Sequence, residues 1–134
     1  MQEEKDRVLG WHWLIDFSDC AHMPTSAEQL EQLLEIAATQ SGSKVVGKCI
    51  HQFSPHGLTG VVVIAESHLA IHTWPEYRSI CIDLFSCSHH IRSDIAIEIL
   101  RTSFQPKQVS INEYLRKIPR DSSDERLPGN EPTS

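Results

Sequence analysis

A two-layer α+β sandwich, with a mainly antiparallel sheet and two helices on one of its faces, is the fold class the sequence predicts. Three observations carry the prediction. Strand-like segments rich in Val, Ile and aromatic residues recur along the chain, helical spacing recurs in only two places, and the resulting order is β-α-β-β-β-β-α-β. Two helices cannot supply the crossovers of a parallel sheet that size, so most strands must be antiparallel neighbours. The sheet face without helices must be polar, or must bury itself against a second copy.

Residues 9–17 place Leu9, Trp11, Trp13, Ile15 and Phe17 on one side and Gly10, His12 and Asp16 on the other, with Leu14 as the exception, which is strand periodicity. Thr25-Ser26-Ala27-Glu28 has the form of a capping box, and Ala27, Leu30, Leu33, Leu34 and Ala37 follow at helical spacing until Gly42. Strands are expected at 44–53, 58–65, 68–74 and 79–86, bounded by Gly or Pro. Ile91, Ile95 and Ile99, with Leu100 and Phe104 beside them, predict a helix over 91–104 that stops before Pro106. A last strand runs from Gln108 to Leu115. From Lys117 the chain is polar and poor in core-forming residues, so residues 1–116 are expected to form the domain and 117–134 a mobile tail.

The 134 residues, 40% of them hydrophobic, suffice for one domain with one core. Twelve basic and 18 acidic residues give a formal charge of −6, with no basic block to follow a phosphate backbone, so nucleic acid is not an expected partner. The charged start MQEEKDRVLG has no apolar h-region, and no later run approaches the ~18 apolar residues of a bilayer span. A cytoplasmic protein with no membrane partner is expected. Cys20, Cys49, Cys81 and Cys87 form no CxxC pair and read as free thiols in a reducing compartment.

The stretch IAESHLAIHTWPEY, residues 64–77, reads as two strands interrupted by Glu66-Ser67-His68. Tight hairpins usually turn on Asn-Gly, Asp-Gly or a glycine pair, because their turns need positive φ. His68 and His72 have metal-pair spacing for a helix, but in a strand they lie about 13 Å apart, too far for one ion with N bonds of ~2 Å; no metal is expected. Ser67 lacks a G-x-S-x-G elbow, which argues against a conventional serine hydrolase. Taken singly, His72 reads as a hydrogen-bonded strand histidine, Cys87 as a small packed hydrophobe, Ser67 as a turn residue, and Phe53 and Trp74 as core aromatics. His12, His22, His51, His56, His89 and His90 form no ligand pattern and read as surface or capping residues.

The longer string SPHGLTGVVVIAESHLAIHTWPEYRSICIDLFSCS, residues 54–88, resembles the prokaryotic S-adenosylmethionine decarboxylase proenzymes, most specifically in GVVVIAESHL, IHTWPEY and IDLFSC. The similarity extends from about Leu9 to about Leu115. It implies a self-processing, pyruvoyl-dependent decarboxylase that uses no pyridoxal phosphate and converts S-adenosylmethionine to its decarboxylated form for spermidine biosynthesis. By this resemblance Ser67 attacks the Glu66 carbonyl, the amide becomes an ester, and β-elimination leaves a β chain, 1–66, and an α chain, 67–134, which stay associated. The dehydroalanine at position 67 then hydrolyses to pyruvoyl and ammonia.

His72 corresponds to the base of the elimination, and Thr59, where the family usually has serine, to a hydroxyl that helps polarise the scissile carbonyl. Nucleophile, carbonyl and base all fall within Glu66 to His72. A strained turn that exposes its carbonyl favours the attack through near-attack geometry, which a relaxed Asn-Gly turn would not supply. The pyruvoyl ketone would form a Schiff base with the substrate amine and act as electron sink when CO2 departs. Cys87 corresponds to the general acid of turnover, and an ordinary thiol carries its proton at neutral pH.

Phe53, Leu69 and Trp74 correspond to walls of the nucleoside site, and Glu76 to the acid that accepts ribose hydroxyls; aromatic faces suit both adenine and a sulfonium cation. The resemblance also implies a homodimer of αβ units whose site is built partly from the second protomer. Three places depart from the family pattern: Arg78, where a small residue is expected; Ser88, where glycine is common; and GWHWLIDFSDC, residues 10–20. A guanidinium at the site could recognise a carboxylate, so decarboxylation of free arginine or ornithine is the alternative. A catalytically silent binding module is the third reading, and the retention of Ser67, His72 and Cys87 speaks against it.

Overall fold

The computed structural model describes residues 7–88 and 90–119. The elements are β1 (Arg7–Cys20), α1 (Ala27–Gln40), β2 (Val45–Gln52), β3 (Leu58–Ile64), β4 (Ser67–Trp74), a 3₁₀ turn (Pro75–Tyr77), β5 (Ser79–Ser86), α2 (Ser93–Phe104) and β6 (Pro106–Ile118). The six strands form one sheet in the order β2-β3-β4-β5-β1-β6, antiparallel at every ladder. Both helices pack on one face, giving the α+β sandwich expected from the pattern. No helix among the described residues is long and apolar enough to cross a membrane.

Helix α1 buries Leu30, Leu34, Ala37 and Ala38, the stripe that the spacing marks, with Leu33 at its margin. Its cap lies one residue later than the capping box predicts. Ser26, in extended geometry, accepts from the Gln29 N–H at 3.2 Å, which leaves Thr25 outside the helix. Helix α2 starts at Ser93 rather than at 91 and ends at Phe104, where Gln105 turns to φ 50° and donates its N–H to the Arg101 carbonyl at 2.8 Å. Pro106 cannot extend the helix and opens β6 instead.

Alternation sorts the sheet into two faces. Ile15, Phe17, Leu58, Val62, Ile64, Leu69, Ile71, Ile80, Ile82 and Leu84 lie buried beneath the helices, together with Leu100 and Phe104. Each such side chain contributes roughly 1.5–3 kcal/mol of transfer free energy, so this face anchors the fold. The opposite face carries Val61, Val63, Ala70, Phe85 and Leu14 among polar residues, and no helix among the described residues covers it. Leu14, the exception in the β1 pattern, belongs there and is 38% exposed.

Two departures occur along β1. The register with β6 shifts between Val8 and Gly10, so Gly10 is buried while Leu9 is exposed. A Cβ at Gly10 would sit 2.6 Å from the Phe85 ring and 2.9 Å from the Ser86 carbonyl, an approach that only glycine permits. Strand β6 also exceeds the predicted 108–115: Lys117 pairs with Val8 and Ile118 with Arg7, past the domain end expected at 116. Of the expected tail, residues 120–134 lie outside the described residues.

Candidate active site

Strands β3 and β4 are joined by Ala65 and Glu66 alone, with Ile64 paired to Ser67 across the turn. Glu66 adopts φ 62°, a left-handed conformation that costs a non-glycine residue about 1 kcal/mol or more. Two hydrogen bonds hold it there. The Ala65 N–H donates to the Lys44 carbonyl at 2.9 Å, and the Glu66 carbonyl accepts the Cys87 N–H at 3.0 Å. A backbone donor fixed on that oxygen is what a developing oxyanion requires.

Ser67 begins β4, opposite Ser86 at the end of β5. Its hydroxyl donates to Ser86 Oγ at 3.0 Å. Ser86 is fully buried, accepts the Ser88 N–H at 3.0 Å, and donates to the Ser88 carbonyl at 2.6 Å. Cys87, between them, is exposed. The Glu66–Ser67 peptide, the Ser67 hydroxyl and Cys87 are therefore gathered at one end of the β4–β5 pair.

A second group gathers at the other end. Thr59 Oγ1 and His72 Nδ1 are 3.1 Å apart, within a cross-strand row on the uncovered face that runs Asp16, Cys81, His72, Thr59, His51. Burial first, then the hydrogen bond and charge of Asp16, push the Cys81 thiol up to about 11, so it stays neutral beside His72 at physiological pH. The His72 and Trp74 rings lie 6.2 Å apart, and Phe53 meets His51 edge-on at 4.5 Å. Glu76 Oε1 lies 3.1 Å from His56 Nε2. Trp74 and Phe53 are 40% and 49% exposed, so neither is a core aromatic.

The two groups do not meet within one chain. His72 stands five residues beyond Ser67 in β4, about 16 Å away, and its side chain points to the opposite face. The closeness in sequence from Glu66 to His72 is therefore not closeness of the Ser67 and His72 side chains in a single chain.

Two further expectations need correction, those for Leu69 and His12. Leu69 is 1% exposed, in the core beneath the helices, so it has no surface with which to line a ligand site. Arg78, the departure that suggested carboxylate recognition, donates from its guanidinium to the Ala21 carbonyl at 2.7 Å and takes φ 51° after the 3₁₀ turn. His12 is not a capping residue. The Arg116 guanidinium donates to its Nδ1 at 3.0 Å, which obliges Nε2–H to donate to the Asp83 carboxylate, and Phe85 packs between the rings of His12 and His68. His89 lies outside the described residues. Among the described residues no three His, Cys, Asp or Glu side chains are grouped to hold a metal ion.

Sequence reasoning also passed over Ser86, His51, His56, Asp16 and Cys81. Ser86 carried a usable signal: it is the polar residue in the apolar parity of Ile80, Ile82 and Leu84.

The chain is similar to known proteins. The family model described as S-adenosylmethionine decarboxylase matches residues 11–117. An S-adenosylmethionine decarboxylase proenzyme of Thermotoga petrophila is 40% identical over 123 residues, covering 87% of this chain and 95% of its own. The proenzyme of Fervidobacterium nodosum is 39% identical over 111 residues, covering 82% and 81%. The crystal structure of adenosylmethionine decarboxylase from Aquifex aeolicus superposes with a TM-score of 0.76 at 31% identity, over 87% of this chain and 97% of that one. With the match spanning β1 to β6 and taking in both groups of site residues, the chain belongs to the S-adenosylmethionine decarboxylase family.

Proposed function

We propose that the chain cuts its own Glu66–Ser67 bond and, with a pyruvoyl group derived from Ser67, decarboxylates S-adenosylmethionine to an aminopropyl donor for spermidine synthesis. The observation that carries this reading is the Glu66 carbonyl, presented in a positive-φ turn, held by the Cys87 N–H and adjacent to the Ser67 hydroxyl. In the first step Ser67 Oγ bonds to the Glu66 carbonyl carbon, and the Cys87 N–H takes up charge on the oxygen, an effect worth on the order of 3 kcal/mol per donor. The Glu66 C–Ser67 N bond then breaks, the nitrogen ends with the hydroxyl proton, and an ester remains. Removal of the Ser67 α-proton expels the Glu66 carboxylate, and hydrolysis releases ammonia.

His72 suits that removal when its Nδ1–H donates to Thr59, because Nε2 is then left as the free base. The same arrangement frees the Thr59 hydroxyl proton for a carbonyl oxygen. Since neither residue reaches Ser67 of its own chain, a second copy must supply them. A face-to-face homodimer does so: a two-fold axis through the uncovered sheet face sets the Thr59–His72 end of one copy against the Ser67–Cys87 end of the other. The apolar residues Val61, Val63, Ala70 and Phe85 on that face favour such burial.

The residues at position 67 fit the group, since Ser67 is its precursor and Cys87 adjoins it. When formed, the group supplies a ketone that condenses with the substrate amine and accepts the electrons left by CO2. Cys87 then returns a proton to the former α-carbon. Cys87→Ala is expected to yield mostly cleaved protein that loses decarboxylation by about 10²-fold or more. Electrophoresis and CO2 release on the same sample check this; equal loss of cleavage and turnover contradicts the role. The free thiols of Cys20, Cys49, Cys81 and Cys87 support a reducing, cytoplasmic setting.

Substrate choice rests on Trp74, Phe53 and Glu76, which a free amino acid would not use. The case for arginine or ornithine drew on Arg78, whose guanidinium is bonded to Ala21. Released CO2 counted separately with S-adenosylmethionine, arginine and ornithine tests the reading; turnover of an amino acid alone overturns it. Trp74→Ala should cost about 1 kcal/mol or more and Glu76→Gln about 1.5–3 kcal/mol, both seen as a raised KM for S-adenosylmethionine.

A further inference from the structure

We infer that Ser86 is a positioning residue for self-cleavage, a role that rests on the self-processing reading above. The inference follows from the capacity of one hydroxyl. Ser86 has a single proton and two lone pairs. The proton goes to the Ser88 carbonyl at 2.6 Å, and one lone pair takes the Ser88 N–H at 3.0 Å. In the remaining contact, 3.0 Å to Ser67 Oγ, Ser86 can only accept. The direction of the Ser67 hydroxyl is thereby fixed: its proton points to Ser86, and its lone pairs are left free to attack.

Two consequences follow for the reacting atoms. The Ser67 side chain is held to one rotamer while the Cys87 N–H, the next residue along, holds the carbonyl under attack. Residues 86–88 thus orient both nucleophile and electrophile from the end of β5 and the two residues beyond it. Donation to Ser86 also enriches Ser67 Oγ in electron density, because hydrogen bonds in a chain polarise one another. Ser86 is not the final proton acceptor, since the Ser88 carbonyl beyond it is no base. In the acyl shift the O–C bond forms, the C–N bond breaks, and the Ser67 hydroxyl proton ends on the Ser67 nitrogen, so no outside reagent is needed.

Burial of Ser86 gives the arrangement its permanence. The residue is inaccessible to water that could replace Ser67 or Ser88 as partner. The Gly10 approach to the Ser86 carbonyl closes the strand end from the side of β1.

The test is a cleavage time course on full-length chains made by cell-free translation, for wild type, Ser86→Ala, Ser86→Thr and Ser67→Ala, with melting temperatures of the purified proteins. Ser86→Ala should cleave about 10- to 100-fold more slowly than wild type, the scale of a displaced reacting group. Ser86→Thr, which keeps the hydroxyl, should recover most of the rate. Wild-type speed in Ser86→Ala overturns the inference. So does a rate that follows melting temperature across the variants without regard to the hydroxyl. If Ser86→Ala does not fold, Ser86→Cys replaces it, with a weaker donor and acceptor at the same place, and slow cleavage in that folded variant is the expected result. An uncleaved wild type, or cleavage of Ser67→Ala, instead sinks the self-processing reading itself.

Discussion

Ser67→Ala is expected to remain one chain of about 15.2 kDa on denaturing electrophoresis, under conditions in which wild type should resolve into two fragments of nearly equal size. The effect is expected to be complete, because the only atom lost is the nucleophile. Wild-type cleavage should need no protease: Glu66 is already in a strained conformation, its carbonyl oxygen already carries a donor, and Ser67 Oγ is one residue away. In the proposed reaction the turn contributes geometry and the serine contributes the bond. The second fragment should begin with a residue that lacks a free amine, so it resists stepwise N-terminal degradation. If Ser67→Ala is cut at the same bond, serine attack is not the route, and an outside protease must be sought.

The unusual turn was legible in the sequence because its oddity was local. Glu66 stands where glycine or asparagine would relieve positive φ, and its φ of 62° is a conformation that Ala65-Glu66 does not favour intrinsically. The faces of the sheet were legible for the same reason, since alternation is a property of consecutive residues. Ile80, Ile82 and Leu84 point inward, and Cys81, Asp83 and Phe85 point outward, as period two requires.

What the sequence concealed depends on register and on partners distant along the chain. The shift between Val8 and Gly10 exchanges Leu9 for a glycine at the buried position, and nothing near Leu9 announces it. His12 finds Asp83 and Arg116, 71 and 104 residues away, so it reads as an isolated surface imidazole until the strands are ordered. Leu69 was placed in the ligand site by the family resemblance, yet parity sends its side chain to the core. The same parity separates Ser67 from His72.

That separation gives the second large effect. His72→Ala chains alone should stall before elimination, as an ester that hydroxylamine cleaves, and Ser67→Ala chains alone should stay intact. Produced together, the two variants form mixed dimers in which one site has a complete set of groups: Ser67 and Cys87 from the His72→Ala chain, Thr59 and His72 from the Ser67→Ala chain. Only the His72→Ala chain should then be cut, with its elimination faster by on the order of 10²–10⁴ than in its own homodimer, which is the scale of a positioned general base. Size tags on the two chains identify which is cleaved. No intramolecular arrangement yields this result, because a base about 16 Å along the strand cannot reach the Ser67 α-proton of its own chain. Were verified mixed dimers to leave the His72→Ala chain as an ester, the base would have to come from the same chain, and the face-to-face dimer would lose its main support.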